Sequence, residues 1–93
     1  IPLITSGNLG TTLFFRNTGA DGNNTVTISP KDSNKIVGGM TQAAAVFHSS
    51  GALGKDLINT KATSKLGDWV ELRAVSLTEY YIVGGQGIWA SES

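Results

Sequence analysis

The chain has 93 residues with 7 basic and 7 acidic side chains, a formal net charge of zero, and only 15% of its residues are charged. That is room for one domain. It carries no electrostatic footprint for nucleic acid and no polybasic patch for an anionic membrane. With 40% apolar residues the chain is too hydrophobic for intrinsic disorder, and no apolar run reaches the ~18 residues that cross a bilayer as a helix. It has no Cys, which removes disulfide scaffolds, thiolate zinc sites and Cys nucleophiles. Area scaling gives roughly 5,100 Å² exposed when folded against about 14,000 Å² extended, so ~64% is buried. The chain opens Ile1-Pro2 without Met, as expected of a fragment or a processed product.

Taken in order, the pattern is all-β: short apolar runs separated by Gly, Asn, Asp and Ser. Ile1–Gly10 is expected as a flexible N-terminal arm, and residues 11–93 as a single β-domain. Thr11–Arg16 is the first strand. Residues 17–24 are turn formers, with Asp21-Gly22 suited to positive φ. Thr25–Ser29 alternates strictly, with Val26 and Ile28 on one face, and the two runs read as a hairpin with a long loop. Pro30 ends the second strand because it cannot donate to a ladder.

Lys35-Ile36-Val37 reads as a short strand closed by a Gly38-Gly39 corner. Thr41–Phe47 reads as a strand, with one or two helical turns as the alternative on the strength of its alanines. Ser49–Gly54 is a loop and Leu57–Thr60 a short strand. Gly67-Asp68 starts the strongest segment, Trp69–Val75. Ser76–Glu79 turns into Tyr80–Val83, Gly84–Gly87 makes a glycine corner, and Ile88-Trp89-Ala90 is the last strand. Turn signals every 8–12 residues or so are the mark of a small antiparallel β-sandwich or jelly-roll-like barrel.

Several strands are apolar on both faces. Phe14 lies opposite Leu13 and Phe15. Trp69 and Val75 lie opposite Val70, Leu72 and Ala74. Tyr81 and Val83 lie opposite Tyr80 and Ile82. One small sandwich has a single core, so a second apolar face implies contact between chains. Phe14, Trp69, Val75, Tyr81 and Val83 are the candidate oligomer-interface residues.

The residues offer little chemistry. His48 is the only His, and no nucleophile elbow surrounds Ser49 or Ser50, so no catalytic residue, metal ligand or cofactor is assigned. Glu71 and Arg73 share a strand face and are expected to form a same-face or cross-strand ion pair. The glycine corner is no phosphate loop, because the G-x-x-x-x-G-K pattern is missing. Tyr80 and Tyr81 are the candidate ligand-binding aromatics of a monomeric carbohydrate-binding module, the alternative to an oligomeric structural domain.

Phe15-Arg16-Asn17-Thr18-Gly19, Thr25–Pro30 and Lys35-Ile36-Val37-Gly38-Gly39 resemble small β-domains of tailed-bacteriophage virion proteins. Gly67–Leu72, Tyr80–Val83 and Gly87-Ile88-Trp89 resemble the ending of such domains. The resemblance covers most of residues 11–90, is weakest over 41–66, and is nearly absent over 1–10. It implies a homotrimer without enzymatic activity or cofactor, located in the virion. The implied place is the end of a tail fibre, touching a host-surface glycan or protein, or the head as a capsid decoration. It carries structural roles only: Asn17-Thr18-Gly19 as a turn, Gly38 and Gly39 as a corner, Gly67 and Asp68 as the start of a strand, and Trp89 as an end plug.

Overall fold

The computed structural model describes residues 1–42, 45–49 and 52–92, with 41, 42 and 45–49 described by their backbone alone. Among them are eight strands: β1 (Thr12–Arg16), β2 (Val26–Ile28), β3 (Lys35–Gln42), β4 (Ala45–Ser49), β5 (Leu57–Asn59), β6 (Trp69–Ala74), β7 (Glu79–Gln86) and β8 (Trp89–Ser91). A single 3-10 turn spans Lys61–Thr63. The strands form a five-stranded sheet in the order β1-β6-β7-β3-β4 and a three-stranded sheet in the order β2-β5-β8. All pairings are antiparallel except β3 with β7. This is an all-β fold of two packed sheets, a small β-sandwich. No described helix is long and apolar enough to cross a membrane.

The alternation of apolar residues decides the faces. Val70, Leu72 and Ala74 of β6, Tyr80 and Ile82 of β7, and Ile36 and Met40 of β3 point inward. They meet Ile28, Leu57 and Trp89 from the smaller sheet in one core. Total accessible area is 5059 Å², close to the scaling value for a compact monomer of this mass. The protomer is therefore closed by itself, and what remains in water is distinctive in chemistry rather than extent.

The expected β1–β2 hairpin does not form. β1 pairs with β6, setting Leu13 opposite Leu72 and Phe15 opposite Val70, while β2 crosses to the other sheet and pairs with β5. Buried partners outweigh sequence proximity here, because strand register is fixed by which face must be covered. Residues 17–24 are thus a crossing between sheets. Asn17 caps its own turn by accepting the Gly19 N–H at Oδ1 (2.9 Å), and Gly22, at φ +69°, donates its N–H to the Ser64 carbonyl (2.8 Å).

Two glycine corners also resolve differently. Gly38-Gly39 does not end a strand: β3 pairs with β7 through Lys35–Val37 and then with β4 from Gly38 to Gln42. Gly38 sits at that transfer with φ +103°. An added Cβ there would lie 3.2 Å from the Ile82 nitrogen, so the bend and the close approach both need glycine. Gly39 simply continues the strand. Gly84 and Gly85 lie inside β7 beside a register shift between Glu71 and Leu72, the signature of a β-bulge. Only Gly87, at φ +103°, makes the corner. A Cβ there would overlap the Asp68 carboxyl.

Thr41–Phe47 is not one element. Thr41 and Gln42 end β3, Ala45–Phe47 begin β4, and residues 43–44 lie outside those described. Where described, the backbone is strand, and the helical alternative falls away. Ser49 closes β4 rather than opening a loop.

The first ten residues form no strand, yet they pack onto the sandwich instead of projecting as an arm. Ile4 is buried among the core residues and its N–H donates to Asn34 Oδ1 (3.0 Å). The Tyr80 hydroxyl donates to the Pro2 carbonyl (2.7 Å), and the Gly10 N–H to the Ala74 carbonyl (2.7 Å). Asn34 is the common anchor: its Nδ2 donates to the Leu77 carbonyl (3.2 Å) and its own carbonyl accepts the Gly54 N–H (2.9 Å). Burial raises the Tyr80 pKa above its usual value, which keeps the phenol protonated and donating.

Candidate interaction surface

The larger sheet presents its second face to solvent. The register places the side chains there in rows across the strands. Arg16, Trp69 and Gln86 form one row, and Thr12, Arg73 and Tyr81 another, with Phe14, Glu71 and Gly84 between them. Phe14 is 57% exposed, Tyr81 45%, Val75 46% and Val83 44%, and Trp69 is half-buried. All five interface candidates read from the sequence therefore share this outer face.

Their arrangement is more specific than the sequence pattern. Phe14 and Trp69 stack with ring centroids 5.5 Å apart and planes 21° from parallel. The Trp69 ring lies over Gly84, where an added Cβ would come 3.3 Å from Cη2. Glycine at that bulge position makes room for the indole. Tyr81 and Val83 form a second apolar cluster on β7, with half-buried Val37 beside Tyr81 in the β3 register. Glu71 and Arg73 of β6 run between the two clusters. The expected ion pair between them is not made among the described residues; the Arg73 Nε reaches Thr12 Oγ1 at 3.5 Å instead. Val75 follows the end of β6 and lies in the same row as the Lys35–Glu79 ion pair (3.8 Å), its N–H donating to the Glu79 carbonyl (3.0 Å).

Tyr80 is not a ligand platform. Its ring is 2% exposed, because β7 lies between β6 and β3 and Tyr80 pairs inward beside Ala74 and Ile36. Tyr81 is left as the exposed tyrosine, and the other two rings of its face, Phe14 and Trp69, stack on each other rather than beside it.

Gly67, Asp68 and Trp89 gather where β1 ends and β6 begins, in and beside a buried polar network that the sequence pattern does not show. Asn17 Nδ2 donates to Asn59 Oδ1 (2.8 Å). Asn59 Nδ2 donates to Asp68 Oδ2 and to the Ile88 carbonyl (3.1 Å each). Asp68 Oδ2 also accepts the Lys65 N–H (2.9 Å). Gly67, at φ +90°, donates its N–H to the Asn17 carbonyl (2.8 Å). Trp89 is buried beside this network and its Nε1 donates to the Gln86 carbonyl (3.0 Å). No buried side-chain polar atom among the described residues lacks a partner, so this end of the domain is a fixed scaffold. One signal pointed to it: Asn59 occupies the inward position of Leu57-Ile58-Asn59, where an apolar residue belongs.

His48 lies on β4 opposite Gly39. Among the described residues, no three His, Cys, Asp or Glu side chains converge to hold a metal ion. No protein-family model, no curated protein and no solved structure matches the chain.

Proposed function

We propose that the chain is a non-enzymatic structural and binding domain of a bacteriophage virion. It works as a homotrimer, at the end of a tail fibre as a host-attachment domain or on the head as a capsid decoration. The observation that carries this reading is the outer face of the five-stranded sheet, where Phe14, Trp69, Tyr81 and Val83 stand in two apolar clusters on one surface. A closed protomer gains nothing from leaving such residues in water, whereas repeated contact between copies gives them a buried place. Virion domains need that kind of contact together with a rigid frame. The asparagine network and the packed first ten residues supply the frame. The phage assignment itself rests on the motif resemblance.

The two locations differ in what the domain touches. Incubated with undecorated capsids and, separately, with host cells, the protein is expected to be depleted from solution by one of them in a saturable way. Retention on capsids assigns it to the head, and retention on cells to the fibre. Binding to neither would overturn the virion reading.

A further inference from the structure

We infer that β1 is a self-pairing edge, through which two copies of this chain join their five-stranded sheets in antiparallel register about a two-fold axis at Phe14. β1 is terminal in its sheet. At one end the Asn17 N–H donates to the Asp68 carbonyl, and at the other the Ala74 N–H donates to the Thr11 carbonyl. The register between them is unbroken. Residues 11, 13, 15 and 17 therefore turn their backbone groups towards β6, and Thr12, Phe14 and Arg16 turn theirs outward. No described residue pairs those outward groups. A strand with open N–H and C=O groups takes another strand.

Three features make that strand a second β1. The first is the register. Centred on Phe14, antiparallel pairing sets Phe14 against the partner's Phe14, and Thr12 against the partner's Arg16. All three outward residues then exchange backbone hydrogen bonds in each direction. The second is charge. Arg16 is the only charged residue of the strand. Antiparallel pairing keeps the two guanidinium groups about 14 Å apart along the strands, four residues at 3.4 Å each. Parallel pairing would set them side by side. The third is side-chain packing. Phe14 already stacks on Trp69, so the pairing builds a four-ring ladder, Trp69 and Phe14 followed by the same pair from the partner, on one face of a continuous sheet. On the inner face, Leu13 and Phe15 are only half-buried, and a neighbouring strand would cover their open side. β1 also has no Pro, Lys or bulge, the devices that keep natural edges apart.

This contact needs only a second copy and stands independently of the virion reading. It uses the Phe14–Trp69 cluster and leaves Tyr81 and Val83 to the three-fold contact proposed above. The native chain has no Cys, so two single-cysteine variants test the pairing directly. Thr12→Cys and Arg16→Cys alter exposed positions. In the paired dimer, Cα atoms of residue 12 and the partner's residue 16 lie about 5.5 Å apart, within disulfide range. Two copies of residue 12 lie far outside that range. Under mild oxidation, the mixture of the two variants is expected to give several-fold more cross-linked dimer on a non-reducing gel than either variant alone. Equal yields in all three samples, or no cross-link in any, would overturn the pairing.

Discussion

Trp89→Ala is expected to destabilise the domain by about 3–5 kcal/mol, the usual cost of removing a buried aromatic ring from a core. Trp89 is 1% exposed. It sits on β8, a three-residue edge strand held by three register positions to β5. Its indole N–H also satisfies the Gln86 carbonyl at the turn into β8. For a domain of this size each kcal/mol moves the melting temperature by about 4–8 °C, so thermal unfolding followed by circular dichroism reads the effect easily. Total stability of a domain is on the order of 5–15 kcal/mol, so the loss is at least about a fifth of it. A melting temperature unchanged by the substitution would mean that the ring does not plug the core.

The second large effect is expected at Asn59. Asn59→Leu keeps a similar side-chain volume and adds apolar surface, so burial alone predicts a gain. The hydrogen-bond geometry predicts the reverse. Asn59 is, among the described residues, the one side chain that links Asn17, Asp68 and the Ile88 carbonyl. Leucine strips a partner from each of them in a site with no access to water. Each group stranded in this way costs about 1–3 kcal/mol, and partial compensation through the other contacts of Asp68 and Asn17 leaves a net loss of about 3–5 kcal/mol. Denaturant unfolding measures it as a lower midpoint with an unchanged slope. A midpoint equal to or above that of the native chain would show that the network contributes no stability.

The local pattern of the sequence was a good guide to faces and a poor one to partners. Strict alternation in Trp69–Ala74 identifies Val70 and Leu72 as core. The leftover apolar residues Phe14, Trp69, Val75, Tyr81 and Val83 fall on a single surface, because each lies out of phase with the core residues of its own strand. Alternation also shows that Tyr80 and Tyr81 face opposite ways. It does not say which of them is inside; that depends on the register, which aligns Tyr80 with Ala74 and Ile36 on the face covered by the smaller sheet, a long-range fact.

The glycines illustrate the same limit. Gly38 and Gly87 both require positive φ, yet one lies within a strand and the other between strands. Gly85 is kept small by Met40, a residue 45 positions away in sequence and so invisible to a local reading. Ile1–Gly10 lacks strand periodicity and looked detachable. Buried Ile4, the side chain of Asn34 and the Tyr80 hydroxyl on the Pro2 carbonyl tie it down. Sequence spacing carried no trace of that contact, because a side-chain amide accepting one backbone N–H has no periodic signature.

The central claim is that the outer face of the five-stranded sheet is a contact surface between copies. Sedimentation equilibrium of the native chain at micromolar concentration tests it most directly. A mass of six chains of 9.7 kDa each, trimers joined through their β1 edges, is the predicted result, and a mass of three would leave the face contact and remove the edge pairing. A mass of two chains would leave the edge pairing and remove the three-fold face contact, and a single species of 9.7 kDa would contradict both.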